Sequence, residues 1–506
     1  MVQPFKLQNL PYYTSIYSKR DNIFSLIQNI LFTNLILRYT FPELLKDKIM
    51  TQDLTKGSPL KLIILFALPL LLGNIFQQLY NLADLVIVGR LIGINALAAV
   101  GATLPIYFLF LFITFGFTNG LTVVTAQRFG AKDYTAMRSS MAHCIVASLI
   151  LSSLISLGMT IFMTHLLRIM NIPEEIINDA YTFLFILSAG MILTVFFNLL
   201  SCFIRAVGDS RTPLYFLILA TVINIVLNLL LIGVFKMGVA GSATGTIIAI
   251  CSSVVCCLIY IKKRYSILQL HKKDWKLRWN FMKEHLNIAI PMTIQFAILA
   301  LSMLIIQSVC NSFGTEVIAA FSAGIRIEQL CTQPLLATGL AIATYTAQNW
   351  GAAKLHRIRQ GVRSAALMSF VFSFGLAFLV RFIGKYMISI FMEQENENVI
   401  NIACEYLNIS TLFYFFLGMI FVFRNALQGM GKAIIPLIAS IAELIMRSFA
   451  AIWLAAQIGY KGVFYAGPIA WLGAGIVVTI GYFLTIRHFS DKGLRKFLLS
   501  NKKAEI

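Results

Sequence analysis

The chain has 506 residues, 58% of them hydrophobic and 12% charged, against about 45–50% and about 25% in a soluble domain. That composition excludes a soluble globular protein, and long apolar runs without strict apolar–polar alternation exclude an outer-membrane barrel. The net charge of +20 would suggest nucleic acid in a soluble chain, but the basic residues gather between apolar spans, so the partners expected are membrane lipids and not nucleic acid.

Residues 1–49 do not match the rest of the chain. The run Ile23 to Leu37 is broken by Ser25, Gln28, Asn29 and Asn34 and makes a poor span. Met50 precedes Thr51-Gln52-Asp53 and reads as a plausible start, so 1–53 is expected to be an extension outside the core. From Pro59 on there are twelve apolar spans, each near the roughly 20 residues that cross a bilayer as a helix. Six lie near 60–84, 96–120, 138–164, 177–201, 212–234 and 240–261. Six more lie near 284–312, 317–344, 360–384, 399–423, 433–457 and 463–486. The expected fold is an all-α polytopic membrane protein, twelve transmembrane helices in two homologous six-helix lobes. The expected domains are an N-lobe over 54–261, a basic linker over 262–283, a C-lobe over 284–488 and a basic tail over 489–506.

The homology of the lobes is visible as repetition. Thr125-Ala126-Gln127-Arg128-Phe129-Gly130-Ala131 returns as Thr346-Ala347-Gln348-Asn349-Trp350-Gly351-Ala352, 221 residues on. Phe66-Ala67-Leu68-Pro69 returns as Ile288-Ala289-Ile290-Pro291 at an offset of 222, and Gly208 to Pro213 as Gly431 to Pro436 at 223. An even number of spans per repeat places the repeat axis along the membrane normal, a plan common among secondary transporters. Basic residues fall on alternate loops, among them Arg128, Arg205, the run Lys262-Lys263-Arg264, Arg357, Arg424 and Lys496. The opposite loops hold Glu174-Glu175 and Glu393, Glu395, Glu397. The basic side is expected to be cytoplasmic, with both termini inside.

Charges at bilayer depth cost at least about 2.5 kcal/mol and need a reason. Asp84 ends span 1 after Gln77, Tyr80 and Asn81, and helical spacing puts these on one polar stripe. The stripe suits a proton or cation carrier, or an acid exposed at the helix end. Span 5 adds the i, i+4 pair Asn224 and Asn228; span 6 offers the hydroxyls of Ser242, Thr244 and Thr246. In the second half, Arg326 and Glu328 on span 8 and Glu443 and Arg447 on span 11 are expected to form structural ion pairs, including cross pairs. Gln295 on span 7 is a candidate for the substrate cavity, with Gln77, Tyr80 and Asn81. Pro69 and Pro291, at equivalent places in spans 1 and 7, are candidate hinges. The eight cysteines lie in or beside apolar spans and read as small buried side chains. There is no phosphate-binding loop and no metalloprotease motif, so neither an ATPase nor an embedded enzyme is supported, and no metal or cofactor is expected.

The segments Tyr80-Asn81-Leu82-Ala83-Asp84 through Gly89-Arg90, Ala96 to Gly101, the two Thr-Ala-Gln-x-x-Gly-Ala repeats, Arg205 to Asp209 and Asn224-Ile225-Val226-Leu227-Asn228 resemble the multidrug and toxic compound extrusion (MATE) family, over about 54 to 488. Tyr-Asn-x-x-Asp and Gly-Ile-Arg-Ile-Glu look most like its bacterial drug/cation antiporter branch. The resemblance implies two lobes around a central cavity and export of drugs in exchange for Na⁺ or H⁺. It also implies small, cationic amphiphilic substrates, an inner-membrane location and a monomer. The cation site of that branch falls on Asp84, Asn224, Asn228 and Thr246; Asn228 departs from the usual Asp, which favours H⁺. A Glu carried in span 7 by another branch has no counterpart between Pro291 and Gln307. The alternatives are a flippase for lipid-linked saccharides, which needs a basic cavity, and a membrane enzyme or scaffold.

Overall fold

The computed structural model describes residues 52–170, 172–389, 397–491, 493–496 and 498; the extension before Met50, Glu393 and Glu395 lie outside these. The described residues fold into α-helices joined by short turns, with no strand among them. In chain order they are α1 (Pro59–Leu91), α2 (Ile94–Gly130), α3 (Tyr134–Ile169), α4 (Glu174–Ala189), α5 (Met191–Ala206), α6 (Arg211–Asn228), α7 (Gly238–Arg264), α8 (Trp279–Asn311), α9 (Thr315–Gly351), α10 (Leu355–Ser389), α11 (Glu397–Leu412), α12 (Tyr414–Gly429), α13 (Ile434–Ile458) and α14 (Tyr460–His488). Helices satisfy every backbone group within one segment, which is what an apolar chain in lipid must do.

Nine helices among the described residues are long and apolar enough to cross a membrane, and the spans rise to eleven when two bent pairs are each read as one. The remaining long helix, α9, carries Arg326, Glu328, Gln329 and Gln333 through its middle, which interrupts its apolar run. The bent pairs are α4–α5, at 46°, and α11–α12, at 50°. The sequence reading has each as one straight span. The breaks fall at Gly190 and Phe413, 223 residues apart, so the bend itself is duplicated.

Helices also run past the expected span ends. At 37 residues α2 is about 55 Å long, well beyond a hydrocarbon core of about 30 Å. The Thr125–Gly130 segment, expected to be loop, is therefore the last turns of a helix, and α9 ends likewise at Gly351. Arg128, Arg205 and Arg424 sit on helices rather than in loops. Pro69 and Pro291 lie inside α1 and α8, and both are buried.

Lipid-facing bulk is plain on α3 (Leu154, Leu157, Ile161, Phe162) and on α10 (Val371, Phe374, Phe378, Phe382), all exposed. The start of α1 packs Leu62, Ile63 and Phe66 into one apolar cluster with Ile342, Tyr345 and Trp350 of α9. The start of α8 packs Ile288 and Met292 with Val123, Val124 and Ala206. Each half thus begins by leaning on the other. The linker is pinned to α3 by Arg138, whose Nε lies 3.3 Å from Asp274. Burial pushes the Asp274 carboxyl up, but the His271 backbone amide and Arg138 outweigh it and hold it below the usual carboxylate range.

Candidate functional site

Asp84, Asn224, Asn228, Thr246 and Tyr80 converge. The Nδ2 of Asn228 donates to Asp84 Oδ1 at 2.6 Å and to Asn224 Oδ1 at 3.2 Å. Asn224 Nδ2 donates to Thr246 Oγ1 at 3.1 Å, and the Tyr80 hydroxyl reaches the same oxygen at 3.3 Å. Of Ser242, Thr244 and Thr246 on α7, Ser242 is the one that donates to Asp84, at 3.1 Å. The cluster thus joins α1, α6 and α7. Asn224, Asn228 and Ser242 are fully buried. Directly after Asn228, α6 loosens into a π-helical turn over Leu229–Val234, an irregularity frequent at functional sites. The Oδ1 of Asn228 has no hydrogen-bond partner among the described residues and faces Gly245, where a Cβ would collide with it. Gln77 and Asn81 do not join this cluster; they bond each other at 3.4 Å on an exposed part of α1.

In the second half, Glu443 is held by two guanidiniums, Arg447 at 2.6 Å and Arg424 at 2.8 Å. The charge pattern assigns Arg424 to a loop; the extra helical length of α12 carries it inward. Glu328 meets the Tyr406 hydroxyl at 2.9 Å and makes no ion pair within 4 Å, and Arg326 is exposed with no ion pair among the described residues. The expected cross pairing of 326 and 328 with 443 and 447 is therefore not formed. Positions two apart leave a helix in different directions, and these two find different surroundings.

Between the halves lies a cavity of about 70 Å³ whose polar lining is Asn119, Thr122, Cys202, Arg205, Thr344, Asn425 and Gln428. Arg205 is the one charged group on its wall, with Nη2 2.8 Å from Cys202 Sγ and 3.4 Å from Asn119 Oδ1. Gln295 is buried beside it and accepts from Gln428 Nε2 at 2.6 Å. The cavity is shut at one end by the two repeats seen in the sequence. Gln127 Nε2 donates to the carbonyl of Gly429 at 2.8 Å, and Gln348 Nε2 to that of Ala206 at 2.9 Å. Both donors and both acceptors are repeat equivalents. There α2 and α9 cross so closely that a Cβ on Gly130 would strike the Gln348 backbone, and one on Gly351 the Gln127 backbone. The segment before α1 seals the same end: Leu54 donates its N–H to Gln348 Oε1 at 3.0 Å, and Lys354 Nζ donates to Thr55 O at 2.9 Å.

The MatE family model matches the chain twice, over residues 69–230 and 291–453. The chain belongs to the MATE family. It is a membrane transporter and not an enzyme. The probable multidrug resistance protein YpnP of Bacillus subtilis is 30% identical over 421 residues, covering 81% of this chain and 92% of that protein. YoeA of the same organism, also a probable multidrug resistance protein, is 27% identical over 79% of this chain and 87% of its own length. Among solved structures, a MATE transporter in its bent conformation superposes with a TM-score of 0.82 at 23% identity, covering 90% of this chain and all of its own (100%). An outward-facing MATE transporter gives 0.81 at 23%, over 87% and 99%. The MATE fold and the two matched halves thus agree with the duplicated geometry.

Proposed function

We propose that this MATE transporter exports small drug-like organic molecules in exchange for protons, with Asp84 as the carboxylate that carries the proton. The observation behind this reading is the company Asp84 keeps. Its contacts are an amide and a hydroxyl, and no basic side chain forms an ion pair with it among the described residues. A carboxylate so placed can gain and lose a proton without breaking a salt bridge. A Na⁺ cage prefers several oxygens and gains from a second acid; position 228 instead aims an N–H at Asp84. When Asp84 is protonated, its hydroxyl needs an acceptor, and the free Oδ1 of Asn228 supplies one if the amide turns over.

Loading the site changes the bonds that tie α1 to α6 and α7, and the start of α1 rests on the other half. That is a route from proton to lobe arrangement. One proton moved down a potential of 100 mV yields about 2.3 kcal/mol. The end closed by Gln127 and Gln348 carries Arg128, Lys132, Lys354 and Arg357, so we place it, with both termini and the linker, on the cytoplasmic side of a bacterial cell membrane. On that reading the structure faces outward. Cationic amphiphiles would be drawn to Asp84 and not to the wall that Arg205 lines. A lipid-linked saccharide would need a strongly basic cavity, but Arg447 is tied to Glu443 and Arg326 is exposed, which leaves Arg205 alone.

The test is efflux of ethidium, a lipophilic cation, from proteoliposomes under separately imposed H⁺ and Na⁺ gradients. The H⁺ gradient should drive uphill export, Asp84→Asn should abolish it, and Asn228→Asp should add Na⁺ dependence. Export by Asp84→Asn at the wild-type rate would refute the assignment.

A further inference from the structure

Glu328 is the second acid held inside the second half, and the use made of Asp84 leaves it unexplained. Glu443, the other one, is fully engaged by two arginines. Glu328 instead meets hydroxyls, the nearest being that of Tyr406 at 2.9 Å. Around it, the fully buried Ser410 hydroxyl lies within hydrogen-bonding reach of Glu328, while the fully buried Tyr414 hydroxyl and the Nε of buried Arg447 have no hydrogen-bond partner among the described residues. The titratable or charged groups that act on it or that it acts on include Tyr406 from α11, Tyr414 from α12, Arg447 from α13 and Cys331 from its own helix. An unsatisfied buried hydroxyl beside an acid that is already ringed by hydroxyls marks a place where a proton and its hydrogen bonds can rearrange.

The repeat gives this cluster a second argument. With the offset of 223, Arg447 is the counterpart of Asn224, a member of the Asp84 cluster. With the offset of 221, Glu328 is the counterpart of Tyr107, which lies within electrostatic reach of Tyr80. The counterpart of Asp84, at 222, is the buried apolar Ile306. Each half therefore builds a polar cluster at the same place in its bundle, and the acid moves from the first helix of the repeat to the second.

We propose that Glu328 is a second proton-loading site, in the C-terminal half, with Tyr406, Ser410 and Tyr414 as the groups that hold the proton's hydrogen bonds in both states. A metal cation does not fit it, because Arg447 already places a positive charge there, whereas a proton only exchanges the charge on Glu328. The proposal rests on the proton-coupled reading but on separate residues, so the two can fail separately.

The experiment is infrared difference spectroscopy of the full chain in lipid, recorded between alkaline and acidic pH, with no drug present. The wild type should show two carboxylic-acid bands that appear on acidification. Glu328→Gln should remove one and Asp84→Asn the other. Tyr406→Phe keeps the acid and should move the midpoint of the Glu328 band without removing it, which also reports that the variant is folded. Protons taken up per ethidium exported should fall from two to one in Glu328→Gln. The proposal is overturned if Glu328→Gln leaves both bands in place, or if Na⁺ alone displaces the band. Loss of the Glu328 band with no loss on Asp84→Asn would instead overturn the Asp84 assignment and leave this site standing.

Discussion

The crossing of α2 and α9 can be tested with one added methyl group. In Gly351→Ala the new Cβ would lie 2.6 Å from the carbonyl carbon of Gln127 and 2.9 Å from its Cα. Carbon atoms rest at about 3.5–4.0 Å, and the Gln127 carbonyl oxygen would lie closer still to the new Cβ, so the two helices must part by more than about 1 Å, because backbone cannot swing aside. That displacement carries the bonds from Gln127 to Gly429 and from Gln348 to Ala206, now 2.8 and 2.9 Å, past the limit of a hydrogen bond. Each is worth about 1 kcal/mol net, so the closed end loses about 2 kcal/mol, or about 30-fold in its equilibrium with an open one. Cys202 is a native reporter: it lines the cavity and is 3% exposed. Labelling of Cys202 by a membrane-impermeant maleimide, applied from the Arg128 side and quantified by peptide mass spectrometry, should speed up by about that factor. Gly375→Ala is the control, since its Cβ would meet nothing within 4 Å. Unchanged Cys202 labelling in Gly351→Ala, with normal folding, would show that the crossing does not hold this end shut.

Glu443→Gln leaves the buried Arg447 and the part-buried Arg424 without their carboxylate and should cost about 3–5 kcal/mol in detergent unfolding, whereas Arg326→Gln, on an exposed side chain, should stay within about 0.5 kcal/mol. The depressed Asp274 carboxyl stabilises linker docking fully above the usual carboxylate pKa of about 4, and that contribution is lost as pH falls through its lower folded value. Hydrogen exchange over residues 266–276 should therefore rise in acid beyond the intrinsic rate, and Asp274→Asn should remove the extra rise. A cysteine placed at the linker position Lys273 should react with impermeant reagent only in opened cells; reaction in intact cells would invert the orientation proposed.

Much of the fold is legible in the sequence because lipid leaves a chain few choices. Apolar length marks the helices, and three matching offsets mark the duplication. The span ends are less legible, since a helix that leaves the bilayer becomes polar without ending, as α2 and α9 do up to Gly130 and Gly351. The bend at Gly190 carries a signal in its glycine, but its counterpart Phe413 carries none. Helical spacing places Asp84 on a polar stripe, yet Gln77 and Asn81 share that stripe and stay outside the cluster, because only packing decides which part of a stripe is covered. Which α7 hydroxyl meets Asp84 is open in the sequence for the same reason: Ser242, a turn away from Thr246, reaches it. Pairing in the second half is hidden because Arg424 sits on the longer helix, and a charge near a span end can point in or out.

The closure made by Gln127 and Gln348 has a kinetic consequence. Each half supplies one donor, one acceptor and one glycine to the other, so the two bonds are images of each other about a single axis. A rotation about that axis that stretches one must stretch its image by the same amount. Such a rotation breaks the two bonds together rather than one after the other. A change on either side of the axis is then felt by both bonds.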